Sequence, residues 1–560
     1  MSFAGNNKRA AFDYESDLAA YTSTEMSPGR PAKRRAFGPS SNEGQSSPFV
    51  TMKLGEFQQL VERLNQQLRD VAASLDPNDV GKTMMMAAEY ERILKVIQGL
   101  YKQPTGKVLA MGNDDINALG VAVTEDDDKL EEYPPTFTLN IPSNIIQVAA
   151  GGTHSVALSE EGEVYTWGNN DDYALGRETT DADLHKAGRV DLAQVVMVAA
   201  GDNCSLYLTF DGDVYMTGMY KDIDSGKFAN VKPGQKLTNG LCQKDPVKIL
   251  LPGPVQFIAG GFNACAAILG DGSLYTWGMG HFGELGRSSS MGAPLLPSSG
   301  KDIPQYDLGK MYIGEIITKM KKDKDGKMAE VEDYKYHTEL INQKFLTPAR
   351  VEWHIPGKYD VLDVAIGELH MVVVARKDGK TRVYSCGHNN YGQLGHGDLI
   401  QRHSLFPIEA LDGERIAQVS CGSHHTLFLG IMGNNVFACG RSDYGQLGMF
   451  DKKEKEAGGF QSTPIQVPFP TELGTTRIAS VHAGGNNSAA VSDVGNVYTW
   501  GFNETASTGH SSKGGDIERA TKLNPMRFYK KYDPTKGTDA TVSSVSLGGQ
   551  HSIMVVKPYL

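Results

Sequence analysis

The hydrophobic pattern of the chain consists of short apolar runs that recur along its length and end in glycine. The first kind of run leads, in most copies, to a turn that closes on Leu-Gly. Its seven copies read GKVLAMGNDDINALG from Gly106, GEVYTWGNNDDYALG from Gly162, GDVYMTGMYKD from Gly212, GSLYTWGMGHFGELG from Gly272, GKTRVYSCGHNNYGQLG from Gly379, NNVFACGRSDYGQLG from Asn434 and GNVYTWGFNETASTG from Gly495. Apolar runs this short, bounded by glycine, predict β-strands that are buried on both faces.

A second motif lies between the copies of the first. It is a β-rich run that ends in Ala-Gly-Gly or a variant of it, followed in several copies by His-Ser or His-Thr. Its seven copies are VAAGGTHSVAL (148–158), VAAGDNCSLYL (198–208), IAGGFNACAAIL (258–269), VAIGELHMVVV (364–374), VSCGSHHTLFL (419–429), VHAGGNNSAAV (481–491) and VSLGGQHSIMV (545–555). Two independent sets of seven copies predict seven repeats of one structural unit.

The spacing of the repeats predicts the architecture. Most copies start about 50 to 64 residues apart, which suits one four-stranded blade of a β-propeller. The repeats begin on GKVLAMG and end on SVSLGGQHSIMVV, so the first and last strands are expected to share one blade. Such a closure removes exposed sheet edges. We therefore predict an all-β fold, a seven-bladed β-propeller over residues 105–560.

One interval, from Gly272 to Gly379, is about twice as long as the others. Either a degenerate eighth blade or a long loop could fill it. Residues 288–350 carry neither motif and contain the charged run KMKKDKDGKMAEVEDYK. This composition favours a charged loop insertion at 288–350.

Two segments precede the repeats. Residues 1–50 are poor in aliphatic residues and rich in Ser, Gly and Pro, which predicts a disordered tail with basic clusters. Lys33, Arg34 and Arg35 in this tail resemble a short nuclear import signal, although a solvated basic tail gives the same pattern. Residues 51–104 carry apolar residues at steps of three and four, interrupted by DPND, and are expected to form a helical hairpin. Its apolar face either docks within the protein or binds a partner.

The composition of the chain limits the turns, partners and cysteine chemistry that it can have. The 63 glycines suit many tight turns, and repeat glycines such as Gly151 and Gly201 are expected to permit them. The net charge of −11 repels nucleic acid, so contact with DNA needs a local basic segment. The six cysteines form no CxxC pair, which favours reduced thiols in a cytosolic or nuclear protein.

Motif searches point away from a covalent active site. The sequence contains no GxSxG, no HExxH and no complete GxxxxGK[ST] phosphate loop. No apolar stretch of about 18 residues and no secretory signal occur. We therefore expect a soluble intracellular protein without a cofactor, a metal site, a small-molecule substrate or a membrane partner.

The paired motifs VYTWGNNDDYALG and AGGTHSVAL resemble the repeats of the regulator of chromosome condensation family, whose members fold as seven-bladed propellers. The resemblance covers residues 106–557. Longer stretches, such as GGTHSVALSEEGEVYTWGNNDDYALGR from Gly151, are similar to the family's guanine-nucleotide exchange factor for the small GTPase Ran. A single propeller without a further enzyme domain and the basic N-terminal tail fit the same branch of the family.

This resemblance implies a function. An exchange factor of this kind stabilises the nucleotide-free GTPase, and reciprocity requires that it weakens nucleotide binding by the same factor. The implied partners are Ran, nucleosomes or chromatin, and an import receptor. The implied location is the nucleus, on chromatin, with the cytoplasm as a second site. The alternative is a non-catalytic propeller scaffold that binds a different protein, since the fold alone does not decide function.

The resemblance also implies which residues meet the GTPase. They form an acidic and histidine-bearing ring at one mouth of the propeller and are Asp115, His154, Asp202, Asn263, His424 and His551. Asn263 departs from the family pattern, which has aspartate there, and an amide is expected to allow binding while slowing exchange. The repeat histidine, as in His154, is equally suited to bonding the backbone of a neighbouring blade.

A wedge that disturbs the phosphate site of the GTPase is expected in the loop after VYMTG. Its residues are Asp222, Ile223, Asp224, Ser225 and Phe228. A plain loop between strands has a similar composition, so both interpretations stay open at the level of sequence.

Overall fold

The computed structural model describes residues 105–114, 117–121, 132–138, 140–180, 183–219, 242–280, 282–287, 314–322, 328–336, 345–449, 459–470, 476–510, 515–524 and 540–557. The predicted tail at 1–50 and helical hairpin at 51–104 lie outside these residues. Strands are the main regular secondary structure of the described part, which also contains a short 3-10 turn at Glu409–Leu411.

Thirty strands make up the described structure. In chain order they are β1 (Lys107–Asn113), β2 (Glu132–Phe137), β3 (Ile145–Ala150), β4 (His154–Ser159), β5 (Val164–Gly168), β6 (Gly188–Arg189), β7 (Val195–Ala200), β8 (Cys204–Thr209), β9 (Val214–Met219), β10 (Cys242–Ile249), β11 (Val255–Gly260), β12 (Ala264–Leu269), β13 (Leu274–Gly278), β14 (Gly314–Lys322), β15 (Met328–Tyr336), β16 (Ala349–Arg350), β17 (Asp360–Ile366), β18 (His370–Lys377), β19 (Lys380–Gly387), β20 (Arg402–Pro407), β21 (Ile416–Cys421), β22 (His425–Gly430), β23 (Val436–Arg441), β24 (Phe460–Gln466), β25 (Ile478–Ala483), β26 (Asn487–Ser492), β27 (Val497–Gly501), β28 (Ile517–Leu523), β29 (Thr541–Leu547) and β30 (His551–Lys557).

Seven antiparallel four-stranded sheets form the blades of the propeller. Blade 1 has the strand order β2-β1-β30-β29, so the two ends of the repeat region share one sheet. Blades 2 to 7 follow in chain order and are β3–β6, β7–β10, β11–β13 with β16, β17–β20, β21–β24 and β25–β28. The predicted seven-bladed fold and its closure are confirmed.

The doubled interval contains a β-hairpin of its own. Strands β14 and β15 pair only with each other, from Gly314 opposite Tyr336 to Lys322 opposite Met328. Within the described residues they join no blade. The outer strand of blade 4 is β16, and so Ala349 and Arg350, at the end of the segment expected to be an insertion, belong to the blade.

The core lies between the blades. The second strand of each blade begins with six consecutive buried residues, as in β4 and β12. Both faces of these strands pack against neighbouring blades, which is why their sequences are apolar without alternation. Trp167, Trp277 and Trp500 are fully buried between blades, as expected from the repeats.

The first strand of every blade lines the central channel and carries a β-bulge at the same repeat position. In β3 the register shifts between Ile145 and Gln147, and the six equivalent strands shift at the matching residues. A bulge re-aims the side chain that follows it. The Gln147 amide thereby reaches the next blade, where its Nε2 donates to the Val198 carbonyl and its Oε1 accepts from the Val198 amide, at 3.0 and 3.1 Å.

These side chains pair with backbone groups at the exposed edges of the inner strands. An unpaired strand edge exposes N–H and C=O groups to pairing with other chains. Gln418 bonds the backbone of Val481 in the same two-sided way, and Asp363 accepts the Val419 amide at 2.8 Å. Serine hydroxyls at Ser544 and Ser546 accept the amides of Val148 and Ala150. The ring therefore closes through side chains as well as through packing.

Candidate partner-binding face

One end of the propeller carries the loops that both repeat motifs supply. In each blade, the loop from the first to the second strand and the loop from the third to the fourth strand emerge at this end. We call it the motif face. Its inner loops are 151–153, 201–203, 261–263, 367–369, 422–424, 484–486 and 548–550.

A ring of seven glycines surrounds the channel at the motif face. A Cβ atom on Gly151 would lie 2.6 Å from the Gly201 carbonyl oxygen, and one on Gly201 would lie 2.7 Å from the Gly261 carbonyl oxygen. The contacts continue around the ring through Gly261, Gly367, Gly422, Gly484 and Gly548, and the last of these faces the carbonyl of Gly151.

These glycines do not have the role that the sequence suggested. Gly151 and Gly201 are absent from the described residues with positive φ, so no turn geometry requires them. Glycine is needed because neighbouring backbones approach too closely for a side chain. Amides of the next residues, such as Gly152 to Asp202 and Asp202 to Phe262, bond the carbonyls of the following blade at 3.1 and 2.9 Å. The channel below them has a volume of about 310 Å³.

Beneath this ring lies a layer of buried histidines that links the blades. His154 Nε2 lies 2.9 Å from Ser205 Oγ, and His551 Nε2 lies 2.9 Å from Ser155 Oγ. The pairs His370 with Thr426 and His425 with Ser488 repeat the arrangement at 2.9 Å. All four histidines are at most 1% exposed. Four of the seven blade interfaces therefore share one polar contact.

Each of these hydroxyls also bonds a turn of the first motif. Ser205 Oγ donates to the Ala174 carbonyl and Ser155 Oγ donates to the Ala118 carbonyl, both at 2.8 Å. Because the hydroxyl proton is used there, the oxygen accepts from His154 Nε2, which fixes the tautomer of the ring. The residue before Leu-Gly and the repeat histidine thus belong to one chain of hydrogen bonds. This relationship explains why the two motifs occur together.

The predicted GTPase-binding residues separate into two layers. His154 and His551 belong to the buried layer, and burial lowers the pKa of His154 to about 3 and that of His551 to about 4. Their expected role in partner contact stays a prediction, but in this structure their side chains bond neighbouring blades. Asp202, Asn263 and His424 lie above them in the inner loops of the motif face.

Within the upper layer, Asp202 and Asn263 occupy different repeat positions. Asp202 directly follows its ring glycine and is 7% exposed, with its carboxylate over Gly152 of the preceding blade. Asn263 stands one residue further along its loop and is half-buried. Phe262 occupies the position equivalent to Asp202, and it was not among the expected site residues. Asp115 and the expected wedge, at residues 222–228, lie outside the described residues.

His424 belongs to a group of aromatic and charged side chains on blades 5 to 7. Its ring meets that of Tyr391 edge-on, with centroids 5.1 Å apart, and its Nδ1 lies 3.9 Å from Glu368 Oε2. Burial and the nearby Arg441 lower the pKa of His424 to about 4. The ring is therefore neutral near pH 7, and its contact with Glu368 is not a salt bridge.

Arg441 stands at the centre of this group. Its Nε and Nη2 donate to the two carboxylate oxygens of Asp443 at 2.7 and 2.8 Å. Its guanidinium carbon lies 5.1 Å from the ring centroid of Tyr391 and 4.8 Å from that of Tyr444. Tyr444 in turn meets Phe502 of blade 7 edge-on at 5.2 Å. We call Tyr391, His424, Arg441, Asp443, Tyr444 and Phe502 the arginine cluster.

Comparison with known proteins agrees with this architecture. The family model of the RCC1-like domain matches residues 107–554. The chain belongs to this RCC1-like family. The match spans all seven blades except the last three residues of β30, whereas the tail and the segment predicted as a helical hairpin lie before it.

Individual relatives span most of the RCC1-like propeller. The chain is 29% identical over 459 residues to the regulator of chromosome condensation of Xenopus laevis, covering 81% of this chain and 90% of that protein. It is 26% identical over 437 residues to the guanine nucleotide exchange factor SRM1 of Saccharomyces cerevisiae, covering 73% and 79%. The crystal structure of Prp20p from Saccharomyces cerevisiae superimposes with a TM-score of 0.60 at 24% identity, covering 82% and 92%.

Neither a metal site nor a membrane-spanning helix is found among the described residues. Within those ranges we find no group of three or more His, Cys, Asp or Glu arranged to hold a metal ion. The same part of the chain contains no helix with the length and apolar character that crossing a membrane requires. The motif face is the candidate functional site of this RCC1-like protein because it carries Asp202, Asn263 and His424 in its inner loops.

Proposed function

We propose that this RCC1-like protein is a guanine-nucleotide exchange factor for the small GTPase Ran, and that the motif face binds the nucleotide-free GTPase. The observation that carries the proposal is the similarity to SRM1, named a guanine nucleotide exchange factor, over 73% of this chain. Exchange needs no covalent chemistry. It needs a rigid face that binds the empty GTPase more tightly than the nucleotide-bound form.

The geometry of the motif face supports this role. The glycine ring and the backbone hydrogen bonds between blades hold its inner loops in a fixed arrangement. Rigid surfaces lose little conformational entropy on binding, so more of the contact energy is available to displace nucleotide. Asp202, Asn263 and His424 offer polar contacts on this face. The wedge is proposed at Asp222, Ile223, Asp224, Ser225 and Phe228, which in the sequence lie between the end of β9 at Met219 and the start of β10 at Cys242.

Location and further partners follow from the family and from the basic tail. We infer a nuclear, chromatin-associated protein with the cytoplasm as a second site. Prp20p, whose fold this chain shares, was studied for binding to Gsp1p and histones. Lys33, Arg34 and Arg35 are the residues we assign to an import receptor, and the basic tail is the segment we assign to chromatin.

The test is release of a fluorescent guanine nucleotide from purified Ran, with this protein at substoichiometric amounts. We expect multiple-turnover acceleration over spontaneous release. Chelation of Mg²⁺, which frees nucleotide from small GTPases, serves as the positive control for competent Ran. A folded propeller that leaves the rate unchanged would sink the proposal.

A non-catalytic scaffold of the same family is the second candidate. Asn263 favours it, since an amide stands where the resemblance calls for a carboxylate. A scaffold would bind its partner through the same rigid face without changing nucleotide affinity. Tight binding to both nucleotide-bound and nucleotide-free Ran, or to neither, would support this alternative.

A further inference from the structure

We propose that the arginine cluster is the affinity-determining contact of the motif face, and that it acts separately from Asp202 and Asn263, which we assign to nucleotide release. This inference rests on the proposed function. The cluster shares only His424 with the acidic and histidine ring, and the inference gives Arg441 a role that the ring does not include. The occupant is the GTPase bound to the same face, which meets blades 5 to 7 through this cluster.

The composition of the cluster is that of an energetic hot spot. Tyrosine and arginine are enriched among the few residues that carry most of the binding energy of protein interfaces. Here one arginine lies against two tyrosine rings, at 5.1 and 4.8 Å, and the group extends through His424 and Phe502. The residues of the cluster lie on one face of three consecutive blades, blades 5 to 7.

The cluster is arranged before any partner binds. Asp443 holds the guanidinium in a two-pronged ion pair, and the pair keeps partial exposure, with side chains 22% and 26% accessible. The Tyr391 and Tyr444 amides donate to Gln393 Oε1 and Gln446 Oε1 at 3.0 and 2.9 Å, which fixes both turns. Side chains that are already ordered lose little entropy on binding.

The chemistry of the cluster indicates what it contacts. Asp443 occupies Nε and Nη2 of Arg441, so a carboxylate or carbonyl of the partner would be received at Nη1. Tyr391 and Tyr444 are partly exposed, and their rings suit an apolar or aromatic side chain beside that group. A patch of the GTPase with one acidic residue next to an apolar residue fits both features.

The arginine cluster lies on different blades from the residues that we assign to nucleotide release. Asp202 and Asn263 lie on blades 3 and 4, whereas the cluster lies on blades 5 to 7. A contact made equally in the initial complex and in the transition state changes the concentration dependence of the rate but not the maximal rate. We therefore expect Arg441→Ala to raise the KM for nucleotide-bound Ran on the order of tenfold, with kcat nearly unchanged.

The experiment compares steady-state exchange by the full-length protein and three variants. Asp443→Asn, which loosens the guanidinium without removing it, is expected to raise KM less than Arg441→Ala. Arg376→Ala is the matched control, because Arg376 also pairs with an aspartate, Asp360 at 3.2 Å, but at the opposite end of blade 5. We expect this control to leave KM unchanged. Thermal unfolding checks that each variant keeps the wild-type fold.

The outcomes are distinguishable. If the wild-type protein exchanges nucleotide and Arg441→Ala matches Arg376→Ala, or lowers kcat at constant KM, the inference is wrong while the proposed function stands. If the wild-type protein itself fails to accelerate release, the proposed function fails first. Should Arg441→Ala not fold, Asp443→Asn decides the question alone.

Discussion

His154 in blade 2 and Ser205 in blade 3 lie 2.9 Å apart, and this contact joins two blades through side chains that are fully buried. The Ser205 hydroxyl donates a hydrogen bond to the Ala174 carbonyl, so its oxygen accepts from His154 Nε2. Burial lowers the pKa of His154, His370 and His425 to about 3 and that of His551 to about 4. Each ring is therefore neutral in the folded propeller near pH 7.

These lowered pKa values predict acid sensitivity. A histidine that titrates near 6.5 when unfolded and near 3 when folded takes up its proton mainly in the unfolded chain between those pH values. Stability is therefore complete above pH 6.5 and falls as the pH drops toward 4. We expect His154→Asn to lower the free energy of unfolding by about 1 to 2 kcal/mol at pH 7. The deficit should shrink at pH 5, where the wild-type protein is itself weakened.

Denaturant unfolding at pH 7 and pH 5 measures this effect. His185→Asn is the control, since His185 takes no part in the interblade pairs among the described residues. A deficit for His154→Asn that is equal at both pH values would mean that protonation of the buried ring does not limit acid stability.

Glu284 predicts the opposite pH dependence. It is 2% exposed and accepts the Phe282 amide at 2.8 Å, in the turn position that Gln393 and Gln446 hold in blades 5 and 6. Burial raises the pKa of Glu284 to about 8. The folded protein thus holds a proton that the unfolded chain loses above pH 4.5, and stability declines as the pH rises from 4.5 to 8.

Replacement of Glu284 by glutamine tests this dependence. The amide keeps the accepting oxygen and carries no charge, so Glu284→Gln should stabilise the protein by about 1 to 3 kcal/mol at pH 8 and by much less at pH 5. Urea midpoints at the two pH values give the comparison. The exposed Glu409→Gln serves as the control, and an equal gain at both pH values for Glu284→Gln would contradict the buried-carboxyl account.

The glycine ring predicts that even a substitution by alanine at a ring position destabilises the propeller. A Cβ atom on Gly201 would lie 2.7 Å from both the Gly261 carbonyl oxygen and Cys204 Sγ. Because these neighbours belong to the backbone and to the buried core, Gly201→Ala should destabilise the propeller by about 1 to 3 kcal/mol. Gly270→Ala, where the nearest atom is 3.6 Å away, should cost far less. Comparable melting temperatures for the two variants would refute the close-packing explanation.

Asn263 predicts a gain of activity if the resemblance holds. Asn263→Asp restores the carboxylate that the family pattern calls for and is expected to raise the maximal rate of nucleotide release from Ran severalfold. Asn203→Asp places the same charge at the equivalent position of the neighbouring blade and is the matched control. Equal effects of the two substitutions would assign the gain to net charge, and no effect of either would remove Asn263 from the release step.

The number of blades and their closure could be predicted from the sequence, whereas the β14–β15 hairpin lies in a segment that was expected to be a charged loop. These features depend on local patterns. Apolar runs such as VYTWG define strands wherever they occur, and copies with similar spacing define blades without knowledge of any contact. Pairing of β1 with β30 likewise follows from where the repeats begin and end.

The composition of the motif face could be predicted only in part. Asp202, Asn263 and His424 were expected there and lie in its inner loops. His154 and His551 were expected beside them, but in every blade the second position after the ring glycine is at least partly exposed and the third is buried, as at Thr153 and His154. The motif sequence does not show which of these positions is buried, since a histidine suits either environment.

The reason for glycine at the ring positions and the membership of the arginine cluster became clear only from the tertiary structure. Gly201 is needed because of the carbonyl of Gly261, 60 residues away in the chain, and Arg441 meets Tyr391 of the preceding blade. Such contacts depend on how adjacent blades are set around the channel. The sequence by itself determined the strands and their count, because these depend on local patterns. Packing between blades determined which side chains share a surface, because contacts such as that of Arg441 with Tyr391 join residues that are far apart in the chain.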